Sequence, residues 1–469
     1  MSFSARSSKP GIDHPGQHLH SKTKSANYMN SKTDIDPATI LQTLIRFDTT
    51  NPPGNETEAV TWIQQLLESF GISSKIFDLE PNRPNIIARL KGRGDSPPLL
   101  LYGHLDVVTT HGQDWEQPPF EGKIIDDYIW GRGALDMKAG DAMFLAAFIH
   151  AHQENLPIAG DVILSFVSDE EGGGDFGARY LVEQHADLFE GVQYALGEFG
   201  GFSFYFAGQK FYPISVAEKQ ICAMRAIIRG PGGHGSLTQS RGTMARLASA
   251  IIALENERLP VHITPELKLM VSEISKYLPV PYHLAMNLLL NSRFSNLIID
   301  QVGPAGTILE PLIRNSVNAT IVRGGEKINV IPSEIHLGLD GRLLPGFVPQ
   351  DMLTELQPVL GENVEIQVER YDPGPSETDM SLFPLLKKMI ETADPDGIPI
   401  PFFLAAVSDA RFFSQLGIQT YGFIPMNLPP QFSFTELIHA ADERIPIEAL
   451  NFGTSVINNT LINYGGYVQ

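Results

Sequence analysis

The chain has 469 residues, 43% hydrophobic and 19% charged, the balance of a soluble globular enzyme with roughly two or three domains or one large domain carrying an insertion. Its formal net charge of −20 argues against nucleic acid and anionic membrane as partners. A single cysteine, Cys222, excludes an intrachain disulfide, and without a run of about 18 apolar residues no membrane span is predicted.

Residues 1–33 are polar and rich in serine, lysine and histidine; they are expected to form a disordered tail, and Met29 within it is a candidate second start. "DPATILQTLIRF" and "ETEAVTWIQQLLESFG" have helical spacing. "NIIARLKG", "SPPLLLYG", "DVILSFVS" and "VQYALG" read as strands, and "DMKAGDAMFLAAFIHAHQ" and "FGARYLVEQHAD" as helices between them. Near-continuous apolar strands alternating with helices predict an α/β sheet covered on both faces. From residue 215 the pattern changes. "AEKQICAMRAIIRG" and "SEIHLGLDGRLL" alternate with a period of two, "GTMARLASAIIALENE" and "DMLTELQPVL" are helical, and "VEIQVERYD" is a last strand. That order suits a small sheet with helices on one face. The Pro-containing apolar stretch 261–316 shows no assignable period. From "PFFLAAVSDARFFSQLG" the first pattern resumes, ending in the helix "PIEALNFGTSVINNTLINY". The predicted organisation is an α/β domain, 34–214 and 373–469, interrupted by an inserted α+β domain, 215–372.

Polar residues stand where the buried strands end. "LLLYGHLDVV" places His104 and Asp106 past an apolar run, and "WGRGALDMKAG" places Asp136 between a Gly-rich turn and a helix. "SFVSDEEGGG" sets Asp169, Glu170 and Glu171 after a strand, and "YALGEFGG" sets Glu198 after another. Each alone has a plainer reading: a hydrogen-bonded pair, a helix N-cap, a solvated acidic loop. In an open α/β sheet, however, the carboxyl ends of the strands share one edge, where ligands bind. Carboxylates gathered there repel one another unless a cation neutralises them. Histidine with carboxylates suits Zn²⁺, and the lack of cysteine clusters rules out a zinc-thiolate. Asp106 can hold the second ring nitrogen of His104 and fix its tautomer. Cys222 lies in an alternating strand and reads as a core residue.

These motifs, with "PPFEGKIIDDYIWGRGALDMKAG" and the later "PGGHGS" and "SDAR", resemble the dizinc aminoacylase/carboxypeptidase G superfamily over about residues 35–465. That superfamily includes acetylornithine deacetylase, succinyl-diaminopimelate desuccinylase and dipeptidases. The resemblance implies a zinc-peptidase-like catalytic domain with a mostly parallel central sheet and an inserted α+β, ferredoxin-like lid and dimerisation domain. It implies two Zn²⁺ per chain, with Co²⁺ or Mn²⁺ fitting the same ligands. His104 and Glu198 would bind one ion, Glu171 and His439 the other, and Asp136 both. Asp106 would support His104, and Glu170 would be the general base. His234 would reach a partner's site and polarise the scissile carbonyl. Asn329 in "INVIPSE" and Arg342 in "DGRLLPG" would hold the substrate carboxylate or carbonyl, Arg342 in bidentate fashion. Arg411 in "SDAR" would do the same or form a structural salt bridge. Glutamate at 198 points toward the deacetylase and carboxypeptidase branch. The implied reaction is hydrolysis of an amide bond in an N-acyl amino acid or short peptide with a free carboxylate, by a cytoplasmic homodimer joined through its lids. A non-catalytic binding protein on this scaffold would have lost a ligand or the base, and none is missing. A nucleotide-binding reading of "GRGALDMKAG" lacks the lysine and hydroxyl of a phosphate loop.

Overall fold

The structure is a computed structural model that describes residues 35–237, 240–375 and 377–466; the expected tail, 1–33, lies outside the described residues. Among the described residues, nine strands form the central sheet. Eight run in the order Ser74–Asp78, Pro84–Leu90, Val162–Val167, Leu99–His104, Tyr194–Gly197, Gln419–Gly422, Gln209–Glu218 and Ile398–Leu404, and Phe204–Phe206 pairs with Gln209–Glu218 off that path. The four central strands, Val162–Val167 through Gln419–Gly422, are parallel, and antiparallel pairings flank them.

Strand Leu99–His104 shows why the sequence folds this way. Leu99 and Leu101 enter one core, shared with helices Pro37–Arg46, Lys138–Gln153, Phe383–Ala393 and Ile447–Asn463. Leu100 and Tyr102 enter a second core on the opposite face, shared with helix Ala178–Gln184 and with Phe412 and Phe413. A strand buried on both faces needs a continuous apolar run, and parallel neighbours need crossover helices. Helix Lys138–Gln153 carries no polar stripe because its neighbours cover it: buried residues run unbroken from Lys138 to Ile149. Among the described residues, no helix is long and apolar enough to cross a membrane.

The second sheet has four antiparallel strands in the order Ser316–Arg323, Glu334–Leu343, Gln220–Arg229 and Glu365–Asp372. Cys222, Met224, Ala226 and Ile228 alternate onto one face with Leu337 and Leu339, against helices Thr243–Asn256 and Pro349–Leu360. Stretch 261–316 forms helices Pro265–Ser275, Val280–Leu289, Ser295–Gln301 and Pro304–Leu309. These pack on the edge of the central sheet, where Leu267, Met270, Val271 and Leu289 meet Phe211, Ile400 and Phe403. Their period is hidden in the sequence because apolar side chains such as Val280 and Leu284 also stand exposed.

Polar side chains tie together the segments that pass between the two sheets. Lys219, fully buried, donates from Nζ to Arg314 O (2.9 Å) and Ser316 Oγ (2.8 Å). Gln220 Nε2 donates to Leu344 O (2.9 Å), and its Oε1 accepts from Tyr371 Oη and Gly374 N, both at 3.0 Å. Burial, then the positive charges of Arg342 and Arg314, hold the Lys219 ammonium down to about 7. An unfolded lysine titrates near 10.4, so between these values the folded chain binds fewer protons and its stability rises with pH. In urea titrations the stability of the wild-type chain relative to Lys219→Met should therefore increase from about pH 7 to about pH 10. A difference that stays flat across that window would contradict the depressed Lys219.

Candidate active site

The predicted ligands converge on the carboxyl edge of the central sheet. His104 closes strand Leu99–His104, Glu170 and Glu171 open the short 3-10 helix Glu170–Gly172 after strand Val162–Val167, and Glu198 follows Tyr194–Gly197. Asp136 precedes helix Lys138–Gln153, and His439 lies on the loop before strand Arg444–Pro446. Asp136 stands between the two histidines: Oδ1 is 3.1 Å from His104 Nε2 and Oδ2 is 3.0 Å from His439 Nε2. Each histidine has a glutamate of its own. Glu198 Oε2 lies 3.4 Å from His104 Nε2, and Glu171 Oε1 lies 3.2 Å from His439 Nε2. Donor atoms of His104, Asp136 and Glu171 form one set, and those of His104, Glu170 and Glu198 another, each within 4.8 Å.

Burial opposes charge on these groups, and pairing decides the outcome. Burial disfavours the His104 imidazolium, yet Asp106, Asp136 and Glu198 outweigh it and push its pKa well up. His439 is pushed up to about 10 by Asp136 and then Glu171. Burial raises Asp136, but hydrogen bonds from His104 and His439 hold it below the usual carboxylate range. Glu170 is pushed well up by burial and then by Glu198, and Glu171 is raised by burial. The cluster thus demands positive charge. Among the described residues, Oε1 of Glu198 is buried without a hydrogen-bond partner, and buried Oε1 of Glu171 faces His439 Nε2 at 3.2 Å. Such carboxylate oxygens beside two imidazole nitrogens are a donor set that fits divalent cations.

Asp106 does more than hold a histidine. Its backbone carbonyl lies 3.0 Å from His104 Nδ1, and its Oδ1 lies 3.6 Å from the same atom. Oδ1 also accepts from Glu170 N (3.1 Å), and Oδ2 accepts from Glu171 N (3.1 Å) and Asn51 Nδ2 (2.8 Å). One residue therefore sets the histidine, through its backbone carbonyl with the carboxylate 3.6 Å away, and both glutamates, through the carboxylate. Sequence reasoning missed Asn51, Arg83, Arg132 and Glu443. Arg83 joins Glu56 Oε2 (2.9 Å) to Asp169 Oδ1 (3.1 Å). Glu443 Oε1 accepts from Leu135 N (2.6 Å) and Asp136 N (3.1 Å), and Oε2 accepts from Gly133 N (3.1 Å) and Arg132 Nη1 (2.7 Å). The only signal for this pair was local: Arg132 sits inside "GRGALD" and Glu443 four residues after His439.

The remaining predicted residues lie elsewhere. His234 is exposed in a two-stranded ribbon, Gly233–His234 with Val330–Ile331, and its Nδ1 lies 2.7 Å from Ser236 Oγ. Asn329, at the base of that ribbon, accepts at its carbonyl from Gly235 N (2.8 Å). Arg342 forks onto Asp340, Nε to Oδ1 at 2.8 Å and Nη2 to Oδ2 at 3.1 Å. Among the described residues, none of these three shares a hydrogen bond or ion pair with the His104–His439 cluster. Arg411 is buried, and its nitrogens are engaged by Asp372 Oδ2 (3.3 Å), Gly173 O (2.8 Å) and Ser408 O. Of its two expected roles, this geometry serves the structural one.

Glu443→Ala would leave the fully buried Arg132 guanidinium and three backbone N–H groups without their carboxylate. It should cost about 3–5 kcal/mol in equilibrium unfolding; a loss below about 1 kcal/mol would mean that the pair does not hold the Asp136 turn.

The profile of peptidase family M20/M25/M40 matches residues 100–463. Over 403 residues the chain is 29% identical to a probable carboxypeptidase S-like 2 of Dictyostelium discoideum, covering 80% of this chain and 74% of that one. Over 369 residues it is 27% identical to the N-fatty-acyl-amino acid synthase/hydrolase PM20D1 of Homo sapiens, covering 75% and 71%. Among solved structures, the M20 family metallo-carboxypeptidase Sso-CP2 from Sulfolobus solfataricus has the same fold, with a TM-score of 0.68 at 17% identity over 92% of this chain and 99% of that one. The chain belongs to peptidase family M20/M25/M40 and is a metal-dependent hydrolase of an amide bond.

Proposed function

We propose that this chain is a dinuclear zinc enzyme that hydrolyses the amide bond of N-acyl amino acids or short peptides with a free carboxylate. The observation that carries this reading is the division of the Asp136 carboxylate between two histidines, each with its own glutamate. His104 and Glu198 would hold one Zn²⁺, His439 and Glu171 the other, and Asp136 both; Co²⁺ or Mn²⁺ suit the same donors. Bound there, the ions supply Lewis acidity toward a carbonyl oxygen and lower the pKa of water. Glu170, mounted on Asp106 through its own N–H, takes the proton of the attacking water and delivers it to the leaving amine. The substrate class is supported by the names of two relatives, a carboxypeptidase-like protein and an N-fatty-acyl-amino acid synthase/hydrolase.

In this reading 34–214 and 373–469 form the catalytic domain, and 215–372 forms a lid through which two copies pair. Strand Ser316–Arg323 supports it: the strand is an edge of its sheet and exposes Ile321 and Val322, so it can pair with a second copy. His234, exposed on its ribbon and bonded to no ligand of its own cluster, would polarise the carbonyl in the other copy's site, with Asn329 beside it. Arg342 would exchange Asp340 for the substrate carboxylate. A cytoplasmic setting accords with the lone cysteine, buried Cys222.

Glu170→Gln should keep its metal and lose activity on the order of 10³-fold against a panel of N-acyl amino acids and dipeptides. Full activity in that variant would remove Glu170 as the base. His234→Ala should remain a folded dimer and lose activity by about 10²-fold or more. Mixed with Glu170→Gln subunits, it should regain activity, because one site of each mixed dimer then has both groups. No recovery in verified mixed dimers would place His234 outside the partner's site.

A further inference from the structure

We infer that Asp372, acting with Arg370 and Arg411, is a positioning residue that sets the loop carrying Glu170 and Glu171 and ties that setting to the second sheet. Its catalytic consequence rests on the proposed role of Glu170.

The loop's own hydrogen bonds, such as Gly174 N to Asp169 O at 2.6 Å, are supplemented from both flanks. Asp169, Gly173 and Gly174 have φ of 71°, 118° and 76°, and the helical turn between them spans only Glu170–Gly172. On one side Asp106 accepts the N–H groups of Glu170 and Glu171. On the other side the Gly173 carbonyl accepts two guanidinium donors, Arg411 Nη2 at 2.8 Å and Arg370 Nη2 at 2.9 Å. One carboxylate brings these arginines together: Asp372 Oδ2 accepts from Arg370 Nε (2.8 Å) and Arg411 Nε (3.3 Å). Two guanidinium groups repel at this range; the buried Asp372 meets both of them, while Asp175 Oδ1, 3.0 Å from Arg370 Nη2, meets only one.

The contact is also tight. A Cβ on Gly173 would come within 3.2 Å of Arg370 Nη1, and one on Gly174 within 2.5 Å of Phe412 and 2.6 Å of Asp409 Oδ1. Arg370 and Asp372 end strand Glu365–Asp372 of the second sheet, whereas Arg411 sits in helix Ala410–Phe413, beside the central sheet. The last strand of the second sheet therefore terminates on the loop that carries the proposed base. Any rotation of that sheet about the segment after Asp372 moves the Arg370–Asp372 pair against Gly173, and with it Glu170 and Glu171. The "SDAR" arginine completes this strap.

The test uses the full chain. Asp372→Asn keeps the shape of the side chain and removes the charge between the arginines. It should lower kcat about tenfold or more with KM within about threefold and metal content unchanged. Amide hydrogen exchange at 170–174 should accelerate about tenfold, while strand Val162–Val167 stays as protected as before. Arg229→Met, which breaks an exposed ion pair with Glu334 and Glu365 on the same sheet, should change neither readout. If Asp372→Asn does not fold, Arg370→Met, at a partly exposed position, carries the same readouts with smaller effects. A folded variant with unchanged kcat and unchanged exchange overturns the inference. Accelerated exchange together with a fully active Glu170→Gln would uphold the strap and overturn only the assignment of the base.

Discussion

Four carboxylates, Asp136, Glu170, Glu171 and Glu198, are gathered with two imidazoles at one edge of a sheet, and in so sheltered a place their repulsion must be met by positive charge. The site follows from that constraint. Burial drives Glu170 and Glu171 toward their neutral forms, and the two histidines, drawn to the acids, hold Asp136 ionised. A pair of divalent cations satisfies the same demand with fixed geometry. The unpartnered Oε1 of Glu198, and Oε1 of Glu171 facing His439, are the oxygens by which such ions would be held.

A cluster of like charges keeps its shape only if its members are mounted from behind. Asp106 mounts His104 with its backbone carbonyl and Glu170 and Glu171 with its carboxylate, and Asn51 steadies Asp106 in turn. Glu443, locked to Arg132, mounts the turn that presents Asp136. Arg370, Asp372 and Arg411 close the loop of Glu170 from the opposite side. Most of these mounts, Asp106, Arg132, Glu443, Asp372 and Arg411 among them, are buried and charged, so losing one partner costs more than the pair itself contributes. The rigid strand Leu99–His104, packed on both faces, gives them a common base.

Much of this was legible in the sequence, for local reasons. A strand buried on both faces must be apolar throughout, so "SPPLLLYG" and "DVILSFVS" announced themselves, and the ionisable residues just past them stood out. Period-two alternation likewise exposed strands Gln220–Arg229 and Glu334–Leu343. What escaped was long-range or two-faced. Arg132 and Glu443 meet across 311 residues, and their places beside Asp136 and His439 were the one hint of that pairing. His439 enters from a loop, and only the family resemblance singled it out. Helices in 261–316 bury one apolar side and expose another, which erased their period. For Arg411 the sequence left a substrate carboxylate and a structural salt bridge open and could not name the partner, which in the fold is Asp372, 39 residues away.

The most direct test of the central claim is anomalous scattering at the zinc edge from crystals of the zinc-loaded protein. Two peaks are expected astride Asp136, one between His104 and Glu198 and the other between His439 and Glu171. A single peak, or density confined to ligands outside this cluster, would contradict the claim.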